Sequence, residues 1–175
     1  AADAVAAGKG FVGFHCAAYT FTSGPMGQLQ SEVDPYIAML GGELCGAGSH
    51  EAPTLTVASP HFPGIEGLGE SLRLCDEAYA LKHFAPDLHV ILALQTEGMK
   101  SDCYQRPPFP MTWARKHGKG RVFYTSLGHR EDVWTSKAFG QIVLGGFAWV
   151  LGNADADVRP NIDKVAPKAR QLSYE

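Results

Sequence analysis

Two segments far apart in the chain each place a histidine beside partners suited to proton transfer. The first runs from Gly10 to Ala18 and breaks its apolar character at His15-Cys16. The second runs from Gly120 to Glu131, where an apolar stretch gives way to Gly128, His129, Arg130 and Glu131. An imidazole gains and loses its proton near neutral pH, so His15 and His129 suit general acid–base work. Glu77 lies in a mostly apolar run, where an unpaired carboxylate is costly, and so calls for a partner. With His50 and His61 these groups have the residue types that hold a divalent metal, although no HExxH-type spacing marks a ligand set. His83, His89 and His117 read as solvated or structural. Glu77 is followed closely by Tyr79, an acid beside an aromatic ring that can grip a sugar, with Trp113 and Trp134 as further rings for the same mouth.

Cys16 is the candidate nucleophile, with His129 as its base and Glu131 orienting that base. The chain order Cys, then His-x-Glu, resembles the triad of class I glutamine amidotransferases. Ala17 and Ala18 stand where those enzymes carry a glycine elbow, and a free cysteine more often serves as a small buried hydrophobe.

These side chains need elements to position them. A strand over about residues 11–15 ends at His15. A helix follows over roughly 33–41, with Pro35 in its first turn and Gly41-Gly42 as its stop. Strands are expected over 54–58, in pieces between Leu72 and Leu81, and over His89–Leu94, whose continuous apolar content marks a buried strand. Met111–Arg115 and Arg121–Ser126, joined through His117-Gly-Lys-Gly120, read as a hairpin. Between Ser136 and Leu151 the apolar residues keep helical spacing, with Ser136 or Thr135 as N-cap and Gly152 as stop. The stretch from Tyr19 to Gln30 reads as a loop, and the polar residues 153–175 as a tail or linker after a domain spanning 1–152.

The chain has 175 residues, 45% hydrophobic and 19% charged, which suits one globular domain. A formal charge of -3 without a Lys/Arg cluster argues against nucleic acid or an anionic membrane as partner, and no apolar run is long enough to span a bilayer. The first eight residues lack the basic start of a signal peptide and read as the last turns of a helix. Four cysteines without CxxC spacing exclude neither an exported nor a cytoplasmic location.

The order GKGFVGFHCA, MLGGE, Pro60-His61, DEAY, PMTW, GKGRVFYTSLGH and FAWVLG resembles the ThuA-like (trehalose utilisation) family, over nearly the whole chain to Gly152. The resemblance implies an α/β fold of the flavodoxin-like, class I glutamine amidotransferase-like kind, with a mostly parallel sheet flanked by helices. It implies two further strand–helix units ahead of Ala1, so that another segment or subunit completes the sheet. It also implies a role in sugar metabolism, with His15, His50, Glu77 and His129 as pocket residues. The expected function is acid–base hydrolysis or isomerisation of a sugar or keto-sugar over the strand ends. His15 and His129 move protons, Glu77 binds hydroxyls or acts as partner acid, and His50, Tyr79, Trp113 and Glu131 contact substrate. The rivals are a carbohydrate-binding module without turnover, a Cys16-dependent hydrolase and a metal enzyme.

Overall fold

A computed structural model describes residues 1–22 and 33–173. In chain order the elements are α1 (Ala2–Ala6), β1 (Gly10–Phe14), α2 (Pro35–Leu40), β2 (Glu43–Ala47), β3 (Thr54–Val57), β4 (Ser71–Arg73), β5 (Tyr79–Lys82), β6 (His89–Leu94), β7 (Phe109–His117), β8 (Gly120–Thr125), α3 (Glu131–Trp134), α4 (Lys137–Leu151) and α5 (Ile162–Val165). Short 3-10 turns follow β1, at His15–Ala18, and precede β7, at Asp102–Tyr104. The loop expected over 19–30 falls largely outside the described residues.

Six strands form one sheet in the order β1-β8-β7-β6-β3-β4, and β2 pairs with β5 in a second. Among the described residues only β1 and β8 run parallel; every other pairing is antiparallel. The fold is therefore α/β with a mixed, mostly antiparallel sheet, which corrects the expectation of a mostly parallel one. The physical reason lies in β6. All six of its residues are buried because both of its faces are covered, and two-sided cover produces a continuous apolar run whichever way the neighbours point.

The two faces are visible on β8, where consecutive side chains point to opposite sides. Phe123 stacks on Phe62 at 6.1 Å under α4, while Tyr124 meets Trp113 at 4.5 Å on the side of α2. α4 approaches closely at Gly146, where a Cβ would lie 2.7 Å from the Phe123 ring. Its ends follow from its caps: the Ser136 hydroxyl accepts from the Phe139 N–H, and Gly152 takes the left-handed conformation at φ 80°. In α2, Asp34 caps Tyr36, Pro35 occupies the first turn, and Gly41 at φ 91° ends the helix.

Beyond Gly152 the chain returns across the sheet. The Asn161 side chain accepts from the Val90 N–H at 2.6 Å and donates to the Val90 carbonyl at 3.0 Å. Ile162, Ala166 and Ala169 are buried, and Arg106 donates to the Ala169 carbonyl.

Candidate functional site

The parallel pairing of β1 and β8 places their carboxyl ends side by side, with Phe14 opposite Thr125. His15 follows β1 at φ 34°, a left-handed conformation that is strained for a residue with a Cβ and recurs at functional sites. Its backbone carbonyl accepts from the Tyr124 hydroxyl at 3.0 Å. Its ring nitrogen Nδ1 lies 2.8 Å from the Ser126 carbonyl, an acceptor, so the proton sits on Nδ1. The buried ring of His15 is thus fixed in tautomer and direction, with Nε2 facing outward.

Nε2 meets Glu77, whose Oε2 lies 3.2 Å away. The same oxygen stands 4.0 Å from Nε2 of His129, a residue delivered by the loop after β8. One carboxylate oxygen therefore faces two imidazoles. The rings continue the line: Tyr79 lies against His15 at 3.8 Å, His15 against His129 at 5.1 Å, and His129 against His50 at 5.2 Å. His15 is buried, whereas the His129 side chain is 41% exposed, so the row opens to solvent at its His129–His50 end.

Asp76 holds this arrangement together. It is 1% exposed. Its carboxylate accepts from the N–H of Gly128 at 2.7 Å, Arg130 at 3.0 Å and Glu77 at 3.0 Å, with a longer contact from His129 at 3.4 Å. The loop 128–130 is thereby fastened beside Glu77. Backbone hydrogen bonds between Asp76 and Glu51 bring the His50 segment to the same place. Asp76 is a functional residue that the residue types and spacing of the sequence do not single out. The signal available for it was its place beside Glu77 in a mostly apolar run.

Tyr79 donates its backbone N–H to Ser126 Oγ, and its hydroxyl lies 3.6 Å from the Cys16 sulfur. Burial, and next the Cys16 contact, push the Tyr79 phenol well above its ordinary range, so it stays protonated. Cys16 itself is exposed, and this hydroxyl is its hydrogen-bonding partner. The acid facing His129 is Glu77 rather than Glu131. Glu131 begins α3 and lines, with His129, Arg130 and Asp132, an open cavity of about 390 Å³. Trp113 requires a correction: it is fully buried, donates to the Leu40 carbonyl at 2.9 Å and packs on Phe84 and Tyr124, so it cannot touch a substrate. Trp134 is half-exposed, and its indole N–H donates to the Gly128 carbonyl next to His129.

The other histidines lie elsewhere. His61 is exposed on the far side of the sheet, beside the Phe62 that packs under α4. His83 pairs with Glu43 at 2.8 Å. His89 bridges Ser59 and the Arg159 carbonyl. Among the described residues, His15, Glu77 and His129 are the group whose donor atoms converge as a metal site would require, all within 4.8 Å of one another.

The ThuA family, described as trehalose utilisation, matches residues 1–150. No curated protein matches the chain. Among solved structures, a ThuA-like protein from Bacteroides uniformis ATCC 8492 is 18% identical with a TM-score of 0.63, covering 85% of this chain and 60% of its own. A ThuA-like protein from Parabacteroides merdae ATCC 43184 is 20% identical with a TM-score of 0.61, covering 99% and 70%. A beta-galactosidase from Bacillus circulans sp. alkalophilus is 12% identical with a TM-score of 0.57, covering 86% of this chain but 20% of the enzyme. At these identities the likeness is one of fold. The chain spans about three fifths of the length of the first of these structures.

Proposed function

The chain belongs to the ThuA, or trehalose utilisation, family, and from that premise we propose that it acts on a sugar or keto-sugar by acid–base chemistry centred on His15, Glu77 and His129. The family is consistent with a carbohydrate-related role, and the His15–Glu77–His129 geometry supports acid–base chemistry as the reaction class. One observation carries the reading: Glu77 Oε2 stands 3.2 Å and 4.0 Å from the Nε2 atoms of two histidines, one buried and one open to solvent.

A carboxylate facing two imidazoles offers an acceptor to a ring N–H on either side. His15, held by Ser126, keeps its Nε2 on Glu77 and sets the direction of that carboxylate. His129 reaches solvent and is the group that meets the substrate's hydroxyl or carbonyl oxygen. Proton transfer of this kind serves both hydrolysis of a glycoside and isomerisation of a keto-sugar. The exposed face of Trp134, which ends α3 and donates back to the Gly128 carbonyl beside His129, suits the C–H face of a pyranose. Glu131 lines the cavity beside His129, and its carboxylate would accept sugar hydroxyls there.

The test is turnover across keto-sugars and glycosides by the wild-type chain and His129→Ala. Loss of one acid–base group lowers turnover by about 100-fold or more. Removing an exposed ring changes stability by about 0.5 kcal/mol at most. A variant with lowered melting temperature and unchanged turnover removes His129 from the chemistry. Wild-type ligand binding with no turnover across the panel identifies a carbohydrate-binding module instead.

A further inference from the structure

We propose that His15 Nε2, Glu77 Oε2 and His129 Nε2 form a binding site for one divalent transition-metal ion of the zinc type, open on one side to a water or substrate oxygen. The proposal rests on the reading of this cluster as the reacting centre and specifies what occupies it.

Two independent observations point to a cation. The first is convergence: three donor atoms of the right kinds lie within 4.8 Å of one another, with 3.2 Å and 4.0 Å separations from the shared Oε2. Ligands bound tetrahedrally to zinc sit about 3.4 Å apart, given bonds of roughly 2.0–2.2 Å. Closing the set requires a shift of about 1 Å, which rotation of the exposed His129 side chain supplies while Asp76 holds its backbone. Two imidazoles and a carboxylate with a vacant position form the donor set of catalytic zinc sites.

The second is the tautomer of His15. Its Nδ1–H is committed to the Ser126 carbonyl, so Nε2 is the ring atom left to face Glu77 and any ion beside it. A buried imidazole whose Nδ1–H is held by a backbone carbonyl is how metal-binding histidines are oriented from behind. The strained φ of 34° at His15 and the fastening of loop 128–130 by Asp76 keep both ligands aimed at one point.

A bound cation would give the site a Lewis acid for a sugar carbonyl or hydroxyl and would lower the pKa of a bound water. Proton carriage would then pass from the imidazoles to that water, with the reaction class unchanged.

The experiment is calorimetric titration of the chelator-treated chain with Zn²⁺, and with Mg²⁺ as a hard-cation comparison, followed by Co²⁺ absorption spectroscopy. One tight Zn²⁺ equivalent per chain is expected, with weak Mg²⁺ binding and a Co²⁺ spectrum of nitrogen and oxygen ligation. His129→Ala, whose exposed ring is not needed for folding, should weaken Zn²⁺ by about 100-fold or more. His61→Ala, remote from the cluster, should leave it unchanged. Absence of Zn²⁺ binding overturns the proposal, and so does equal affinity in His129→Ala, which places the ion elsewhere. A chain that turns over sugar undiminished after chelation, without binding Zn²⁺, overturns the ion but keeps the acid–base reading. A chain that binds Zn²⁺ through His129 and turns over no sugar does the reverse.

Discussion

Replacing Asp76 by asparagine preserves volume and removes the charge that fastens loop 128–130. The native carboxylate accepts three N–H groups at 3.0 Å or less, two on Oδ1 (Arg130, Glu77) and one on Oδ2 (Gly128). An amide has only one oxygen. Its least costly orientation keeps Oδ1 as the carbonyl and turns the NH₂ toward Gly128, so one donor faces another. A buried donor left without an acceptor costs about 2 kcal/mol, and weakening two charge-assisted bonds to neutral ones costs about 1 kcal/mol more. Removing a buried charge beside Glu77 returns about 1 kcal/mol, for a net destabilisation of about 2 kcal/mol. With a urea slope of about 2 kcal/mol/M, the unfolding midpoint falls by about 1 M. Turnover should fall too, because His129 rides on the released loop. Urea titration followed by circular dichroism reads the first effect. A midpoint within about 0.2 M of wild type, at unchanged slope, would show that Asp76 does not hold the loop.

Burial raises the phenol pKa of Tyr79, Tyr104 and Tyr124 above the ordinary value of 10.0. Above that pH the unfolded chain releases these protons while the folded chain keeps them, so stability is intact below pH 10 and declines as pH rises past it. Phenolate absorbance for these three of the six tyrosines should therefore appear only together with loss of circular dichroism; their titration in a folded chain would contradict the burial argument. Gly145→Ala would put a Cβ 1.8 Å from the Pro63 carbonyl oxygen, a backbone clash that costs about 3 kcal/mol. Gly140→Ala, on the same helix with nothing within 4 Å, should be neutral or stabilise by up to about 1 kcal/mol, and thermal melts of the two variants should separate widely.

Much of what positions the site is legible in the sequence, because local rules dominate there. α4 is bounded by Ser136 and Gly152, which cap it for reasons internal to the helix. The apolar run 89–94 matches β6 residue for residue. Strand direction is a different matter, since burial on two faces leaves no trace of whether neighbours run parallel. The convergence of His15 with His129 follows from reading each as the end of a strand, and it is the parallel pairing of β1 with β8 that brings them together. The partner acid was harder to read. Glu131 is two residues from His129 in sequence, yet the carboxylate that faces it is Glu77, from the segment leading into β5 in the second sheet. Asp76 anchors backbone groups 52 to 54 residues away, and acceptors of main-chain N–H groups have no side-chain spacing to betray them. Trp113 lies beside Thr112 in a strand whose residues 109–115 are all buried, so aromatic character reports packing there rather than contact with a ligand.

Whether one carboxylate serves both imidazoles in the reaction is answered by the steady-state turnover of Glu77→Gln on the best substrate from a panel of keto-sugars and glycosides, with its fold checked by circular dichroism. Glutamine keeps the shape but can neither hold the proton between the rings nor carry the charge. Turnover at about one hundredth of wild type or less, in a folded chain, is the predicted result. Wild-type turnover in that variant would contradict the account and leave the two histidines as neighbours without a shared task.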